Sequence, residues 1–269
     1  MENEIAILTL HGMGDYKPHY YHGLEKKLVK KLKNDWAKIA FVPIQYQPIL
    51  QNNQEAVWER MNRFPLDGGF IRRFLLYGFS DAGSLEYSAR SNDSDQYIQV
   101  QREIIRAIDE AYQKVGPNKA VIIVAQSLGC QVISNYIWDA QNNLGIFNGM
   151  EPDGSDELKT FRRLGSCVYL LTTGCNIPMF VGGLDPIVPF DKALLSEDFE
   201  WDNYYDKDDV LGWPLSPLSD GYKALVNDYN INAGGIFTSW TPWSHGKYWT
   251  DKNVTKPLLR KVNSCLSQT

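Results

Sequence analysis

Residues 121–133 read VIIVAQSLGCQVI. Four consecutive apolar residues, Val121 to Val124, fit a strand buried on both faces, and beyond A-Q-S-L-G the apolar positions Val132, Ile133, Tyr136 and Ile137 recur at helical spacing. Ser127 therefore stands at a sharp strand-to-helix turn, the context of a nucleophile elbow. Small residues two before and two after the serine let strand and helix pack closely there. Gly129 meets that demand, and Ala125 stands where glycine is more usual, adding one methyl group. The turn also sets the hydroxyl at a helix N-terminus, where free N–H groups and the dipole favour developing negative charge. The same position suits a helix-capping serine with no chemistry, so other parts of the chain must separate the two.

The flanking pattern alternates strand and helix. E-I-A-I-L-T-L at 4–10 is a short apolar run ending in the glycine turn H-G-M-G-D, followed by the lysine-rich K-K-L-V-K-K-L-K at 26–33. Leu24, Leu28, Val29 and Leu32 recur at helical spacing, which predicts an amphipathic helix with a solvated lysine face; an anionic membrane surface is the second use of such a face. Residues 39–50 predict a second strand, interrupted by Pro43 and Pro48. A long helix with Tyr97, Val100, Ile104, Ile105, Ile108 and Tyr112 on one stripe ends at G-P-N-K, before the strand and helix of the opening stretch. Polar 141–158 reads as a loop or insertion, 166–174 as a buried strand, 199–206 as a more exposed strand, and 254–266 as a closing helix. The expectation is one domain over 1–269: a mostly parallel sheet with helices on both faces, and candidate cap insertions at 51–95 and 141–165.

Composition narrows the function classes. The chain of 269 residues is 43% hydrophobic and 22% charged, an ordinary globular balance with length enough for a sizeable core. A net charge of −5 argues against a general nucleic-acid binder. Cys130, Cys167, Cys175 and Cys265 have neither paired nor metal-ligand spacing; the first three adjoin apolar runs and read as small hydrophobes, as suits a reducing compartment. The start M-E-N-E carries acids instead of a basic leader region, and no apolar run approaches a membrane span. A cytoplasmic protein without an integral membrane segment, metal or cofactor is the expectation.

Three further features bear on Ser127. Acyl transfer needs two backbone N–H groups aimed at the carbonyl oxygen; Leu128, after the serine, and Met13, in the H-G-M-G turn after the first strand, are the candidates. A serine hydroxyl also needs a base. The chain has four histidines, 11, 19, 22 and 245, and in the order nucleophile, acid, histidine only His245 follows the elbow. The acid is less constrained. G-G-L-D-P-I-V-P-F offers Asp185, whereas N-Y-Y-D-K-D-D-V-L-G-W-P-L offers Asp206, Asp208 and Asp209 after the later strand. Position and a D-x-V spacing to Val210 favour Asp208, with Asp209, Asp206 and Asp185 as alternatives.

Taken in order, H-G-M-G, V-A-Q-S-L-G, T-T-G-C-N-I-P, D-K-D-D-V-L-G-W-P-L and S-H-G-K-Y-W resemble the α/β-hydrolase superfamily, nearest its esterase-like and lipase-like branch. The acid stretch is also distantly similar to the D-P-V-A-Y-R-L-E-P loop of DDHD-type phospholipases, without that family's defining signature. The resemblance implies an α/β-hydrolase fold and hydrolysis of a small-molecule or lipid-like ester through Ser127, His245 and Asp208. Thioester or amide cleavage and a non-catalytic binding role are the competing expectations. Five of eight tryptophans (201, 213, 240, 243 and 249) follow residue 200, where they either line an apolar pocket or pack the C-terminal region.

Overall fold

The computed structural model describes residues 3–12, 18–65, 67–84, 96–233 and 248–268. Among them six strands form one open sheet: β1 (Ile5–Leu10), β2 (Ile39–Ile44), β3 (Val121–Gln126), β4 (Cys167–Thr173), β5 (Glu200–Tyr205) and β6 (Val226–Asn230). Their order is β2-β1-β3-β4-β5-β6, and every neighbouring pair is parallel. Parallel neighbours need long crossovers, and helices occupy them: α1 (His22–Leu32), α2 (Gln47–Met61), α3 (Gly69–Ser84), α4 (Gln96–Val115), α5 (Leu128–Asn142), α6 (Asp156–Arg162), α7 (Ile177–Val181) and α8 (Asp220–Leu225). α9 (Lys252–Gln268) closes the chain. The architecture is mixed α/β and consistent with an α/β-hydrolase-like fold.

Side chains alternate across a strand, so the sheet feeds two cores. Ala6, Leu8 and Leu10 of β1 and Val121, Ile123 and Ala125 of β3 join the core that holds α4 and α5. Ile5, Ile7, Ile122 and Val124 point the other way, against Leu24, Leu28 and Leu32 of α1 and Val254, Leu258 and Val262 of α9. Burial on both faces is why these strands read as unbroken apolar runs. Val29 is not part of the α1 stripe: it is 41% exposed among the lysines. All four cysteines are buried and none is in a disulfide.

Several boundaries differ from the sequence expectation. β2 stops at Ile44, and Pro48 lies in the first turn of α2 instead of interrupting a strand; proline there has no useful N–H to lose. Pro43 is tolerated because β2 is an edge strand. β5 is buried, not exposed. Its polar residues are paired: Asp202 accepts from the Tyr169 hydroxyl at 2.7 Å and from Asn227 Nδ2 at 3.1 Å. Asn203 donates to the Trp213 carbonyl and to Asp228. Hydrogen-bonded in this way, polar side chains can sit in an interior strand. β6, whose sequence V-N-D-Y-N has no apolar pattern, was not expected at all.

The two candidate caps differ in kind. In 141–165, Ile146 and Phe147 are buried in the main core and α6 packs against α4, where Arg162 grips Asp109 through two nitrogens at 2.7 and 2.8 Å. In 51–95, α2 and α3 pack on each other, and the turn between them leaves Phe64 64% exposed. Among the described residues no helix is long and apolar enough to cross a membrane.

Candidate active site

β3 delivers Ser127 directly onto α5. The serine has φ 55° and ψ −126°, a conformation that a residue with a Cβ adopts only when its surroundings enforce it. Its N–H donates to the Thr173 carbonyl at 3.0 Å, and its carbonyl accepts the Cys130 N–H at 2.9 Å, which fixes the turn from both sides. The hydroxyl caps nothing on α5. Oγ is buried, and among the described residues it has no hydrogen-bond partner. A helix-capping role for Ser127 is therefore not what the geometry provides. Gly129 explains the spacing: a Cβ there would lie 2.8 Å from the Leu10 carbonyl oxygen and 2.9 Å from that of His11. Ala125, paired with Leu10 and Thr172 and fully buried, accommodates its extra methyl within the sheet.

The turn after β1 meets the elbow. A Cβ on Gly12 would lie 2.3 Å from Ser127 Cβ and 2.8 Å from its Oγ, so the backbone of residue 12 runs directly over the serine. Two donors from the start of α2 hold this turn: the Tyr46 hydroxyl bonds the His11 carbonyl, and Gln47 Nε2 bonds the Gly12 carbonyl. Nothing in the sequence pattern singled out Tyr46 or Gln47. Leu128 occupies the first position of α5, where a helix leaves its N–H groups unpaired. Met13 lies outside the described residues, as does His245.

The acid stretch follows β5, two strands from β3, with β4 between them. At the usual strand spacing that is about 10 Å, room for one imidazole and its hydrogen bonds. Its three aspartates have different surroundings. Asp206 is consumed structurally: Oδ1 accepts the Asp208 N–H at 3.0 Å and Oδ2 the Ala233 N–H at 2.7 Å. The Asp208 carboxylate is half-buried, with no hydrogen bond among the described residues. Asp209 is buried; Oδ1 accepts the Leu211 N–H at 3.1 Å and Oδ2 the Tyr248 hydroxyl at 2.9 Å. Burial, with the Asp209 charge beside it, pushes the Tyr248 phenol far above its ordinary range, so it remains a donor. Asp185 is an exposed loop carboxylate after α7.

Both ends of the segment carrying His245 are fastened to this loop. Ala233, before it, donates to Asp206, and Tyr248, after it, accepts the Asp206 N–H at 2.9 Å while donating to Asp209. Tyr248 could have been noticed in S-H-G-K-Y-W as a large residue three positions past the histidine. Of the other histidines, His11 lies in the Gly12 turn with Nδ1 3.0 Å from the Gly12 carbonyl, and His19 stacks on His22. Trp201 and Trp249 are buried packing residues, and Trp213 is partly exposed. The connections after β4 and β5 expose Met179 of α7 and the loop residues Leu184, Val188 and Val210, the last to 83%. Among the described residues no group of histidines, cysteines and carboxylates is placed to hold a metal ion. No known protein-family profile matches the chain, and no curated protein matches it.

Proposed function

We propose that the protein is a serine hydrolase that cleaves carboxylic esters through an acyl-enzyme, with Ser127 as nucleophile, His245 as base and Asp209 as the acid. One observation carries the reading. Ser127 is held in a strained turn, its buried hydroxyl without a hydrogen-bond partner among the described residues, directly beneath the backbone of Gly12. Strain of this kind costs about 1–3 kcal/mol and persists where the surroundings enforce it, most often at functional sites. Leu128, at the start of α5, offers its N–H on the side where an oxyanion would form, and we assign Met13, which follows the Gly12 turn in sequence, as the second donor.

Asp209 is preferred to Asp208 because its carboxylate is buried and oriented, whereas that of Asp208 is half-exposed and unbonded among the described residues. The base is assigned from chain order and from the anchored ends of its segment. Tyr248 sits on Asp209, and three residues of chain reach at most about 10 Å. In the reaction, His245 takes the Ser127 proton as Oγ attacks the ester carbonyl, and Asp209 orients and stabilises the imidazolium. His245 then protonates the leaving alcohol, and water repeats the sequence to release the acid. The exposed apolar side chains on the connections after β4 and β5 favour an apolar acyl group.

A fluorophosphonate probe tests the proposal. Wild type should label and Ser127→Ala should not, and p-nitrophenyl esters of increasing chain length should be turned over by wild type alone. Equal labelling of both proteins, or inactivity of a folded wild type toward probe and esters, would return the protein to the binding-only reading.

A further inference from the structure

α1 and α9 lie side by side on one face of the sheet, and each is held by an unbroken apolar stripe. Their outer faces are unusual. Residues 22–33 and 252–268 contain nine lysines and arginines and a single acid, Glu25, a net of +8. With the whole chain at −5, everything else sums to −13. The cations are ordered: Lys26, Lys30 and Lys33 follow one another at i, i+4, i+7 along and just past α1, and Lys252, Lys256 and Arg260 at i, i+4, i+8 along α9. All six are exposed, and among the described residues none has an ion-pair partner. Nearby acids are otherwise engaged: Asp35 pairs with Lys38 at 3.5 Å, and Asp251 accepts the Asn253 N–H at 2.7 Å.

Packed helices lie about 8–10 Å apart, so the two rows make one cationic face, with Val29 exposed among the lysines. Neither helix can enter a nucleic-acid groove, because each is seated on the sheet along its length. Residues 22–33 and 252–268 contain no Phe, Tyr or Trp that could stack on bases. Five of the six ordered cations are lysines, compact point charges suited to a diffuse anionic surface more than to paired recognition of one carboxylate or phosphate. The face also adjoins the candidate site: Lys27 in α1 bonds the Thr250 carbonyl, two residues beyond the tyrosine that holds Asp209.

We propose that the α1–α9 face docks this protein on an anionic lipid bilayer, holding the strand ends that carry the candidate site close to the membrane surface. The proposal stands apart from the esterase reading, since it concerns binding and not turnover. The test is co-sedimentation of the full chain with phosphatidylcholine vesicles with and without phosphatidylserine. Binding is expected to the anionic vesicles alone and should fall as salt rises, since exposed charges are screened. At about fivefold per lysine, Lys26→Glu, Lys30→Glu, Lys252→Glu and Lys256→Glu together should weaken it more than about a hundredfold. The same four changed to arginine should bind like wild type, and circular dichroism should show both variants folded. No binding to anionic vesicles, equal binding by the glutamate variant, or tighter binding to duplex DNA or polyglutamate than to the vesicles at the same salt would each overturn the proposal.

Discussion

The hydroxyl of Tyr248 bridges the two halves of the acid loop, accepting the Asp206 N–H at 2.9 Å and donating to Asp209 Oδ2 at 2.9 Å. Asp209 is thus a buried carboxylate with one oxygen on a phenol and the other on the Leu211 N–H. Removing its charge should lower ester hydrolysis by about 10²–10⁴-fold, as losing the acid of such a triad does. Asp208→Asn should stay within a few fold of wild type. Steady-state kinetics of the two variants decide the matter, and the opposite ranking would give the role to Asp208.

Ser127 makes a prediction about stability that is independent of substrate. Its φ of 55° is cheap for glycine and strained for any residue with a Cβ. Ser127→Gly should therefore be inactive yet more stable than wild type by about 1 kcal/mol. Ser127→Ala keeps the Cβ and should melt below the glycine variant. A glycine variant that melts below wild type would mean that the turn is not strained.

Gly12→Ala probes the contact between the β1 turn and the elbow. Its new methyl would lie 2.3 Å from Ser127 Cβ and 3.0 Å from the Gln126 carbonyl oxygen, so one backbone must move. Overpacking of this kind costs about 1–3 kcal/mol, and activity should fall at least about tenfold, because the oxyanion donors move with the turn. Wild-type kcat and melting temperature together in this variant would be incompatible with the described contact.

How much of this was legible in the sequence follows from burial. β1, β3 and β4 are buried on both faces, so their apolar runs announce them. β6 is an edge strand whose side chains are mostly exposed, and it leaves no pattern to read. β5 misleads in the other direction: Asp202 and Asn203 look like surface residues until Tyr169, Asn227 and Asp228 are seen to pair with them. In the site, Ser127 and Gly129 were readable because a tight turn demands particular residue types. The different surroundings of Asp208 and Asp209 were not, since neighbouring side chains in a loop point in directions that only the folded turn decides. Here Asp206 sets that turn by accepting the Asp208 N–H.

Thiol chemistry offers a check on the core. All four cysteines are buried. Burial pushes the Cys167 thiol up to about 12, and burial also raises Cys130, beside Cys175, and Cys265. The thiolate is the reactive form. Native protein should therefore react with a disulfide reagent orders of magnitude more slowly than denatured protein, which should release four thiols. Cys265, the least buried, should react first. Rapid release of several thiols from native protein would contradict the packing.

Asp139 links the same core to pH. It is buried, accepts from the Tyr97 hydroxyl and from Gln101 Nε2 at 2.7 Å, and burial holds its pKa above the ordinary 3.8 despite those two bonds. A carboxyl raised in the folded state destabilises at neutral pH, and that cost is relieved as pH falls through the folded pKa toward 3.8. Acidification over that window should shift the stability difference between wild type and Asp139→Asn in favour of wild type. Melting curves of both proteins across the window measure it, and a constant difference or the reverse trend would count against a raised pKa.

The pairing of β1 with β3 matches Ala6 to Val121, 115 positions along the chain, whereas β1 meets β2 within one crossover. Loop closure over such a distance makes folding slow, because the chain entropy is lost before the contacts that reward it form. Gly12 and Ser127 sit at the far ends of these two strands, so their meeting waits on that closure. The elbow is thus a late-assembling part of the molecule, and partly folded chains carry the serine without the turn that covers it.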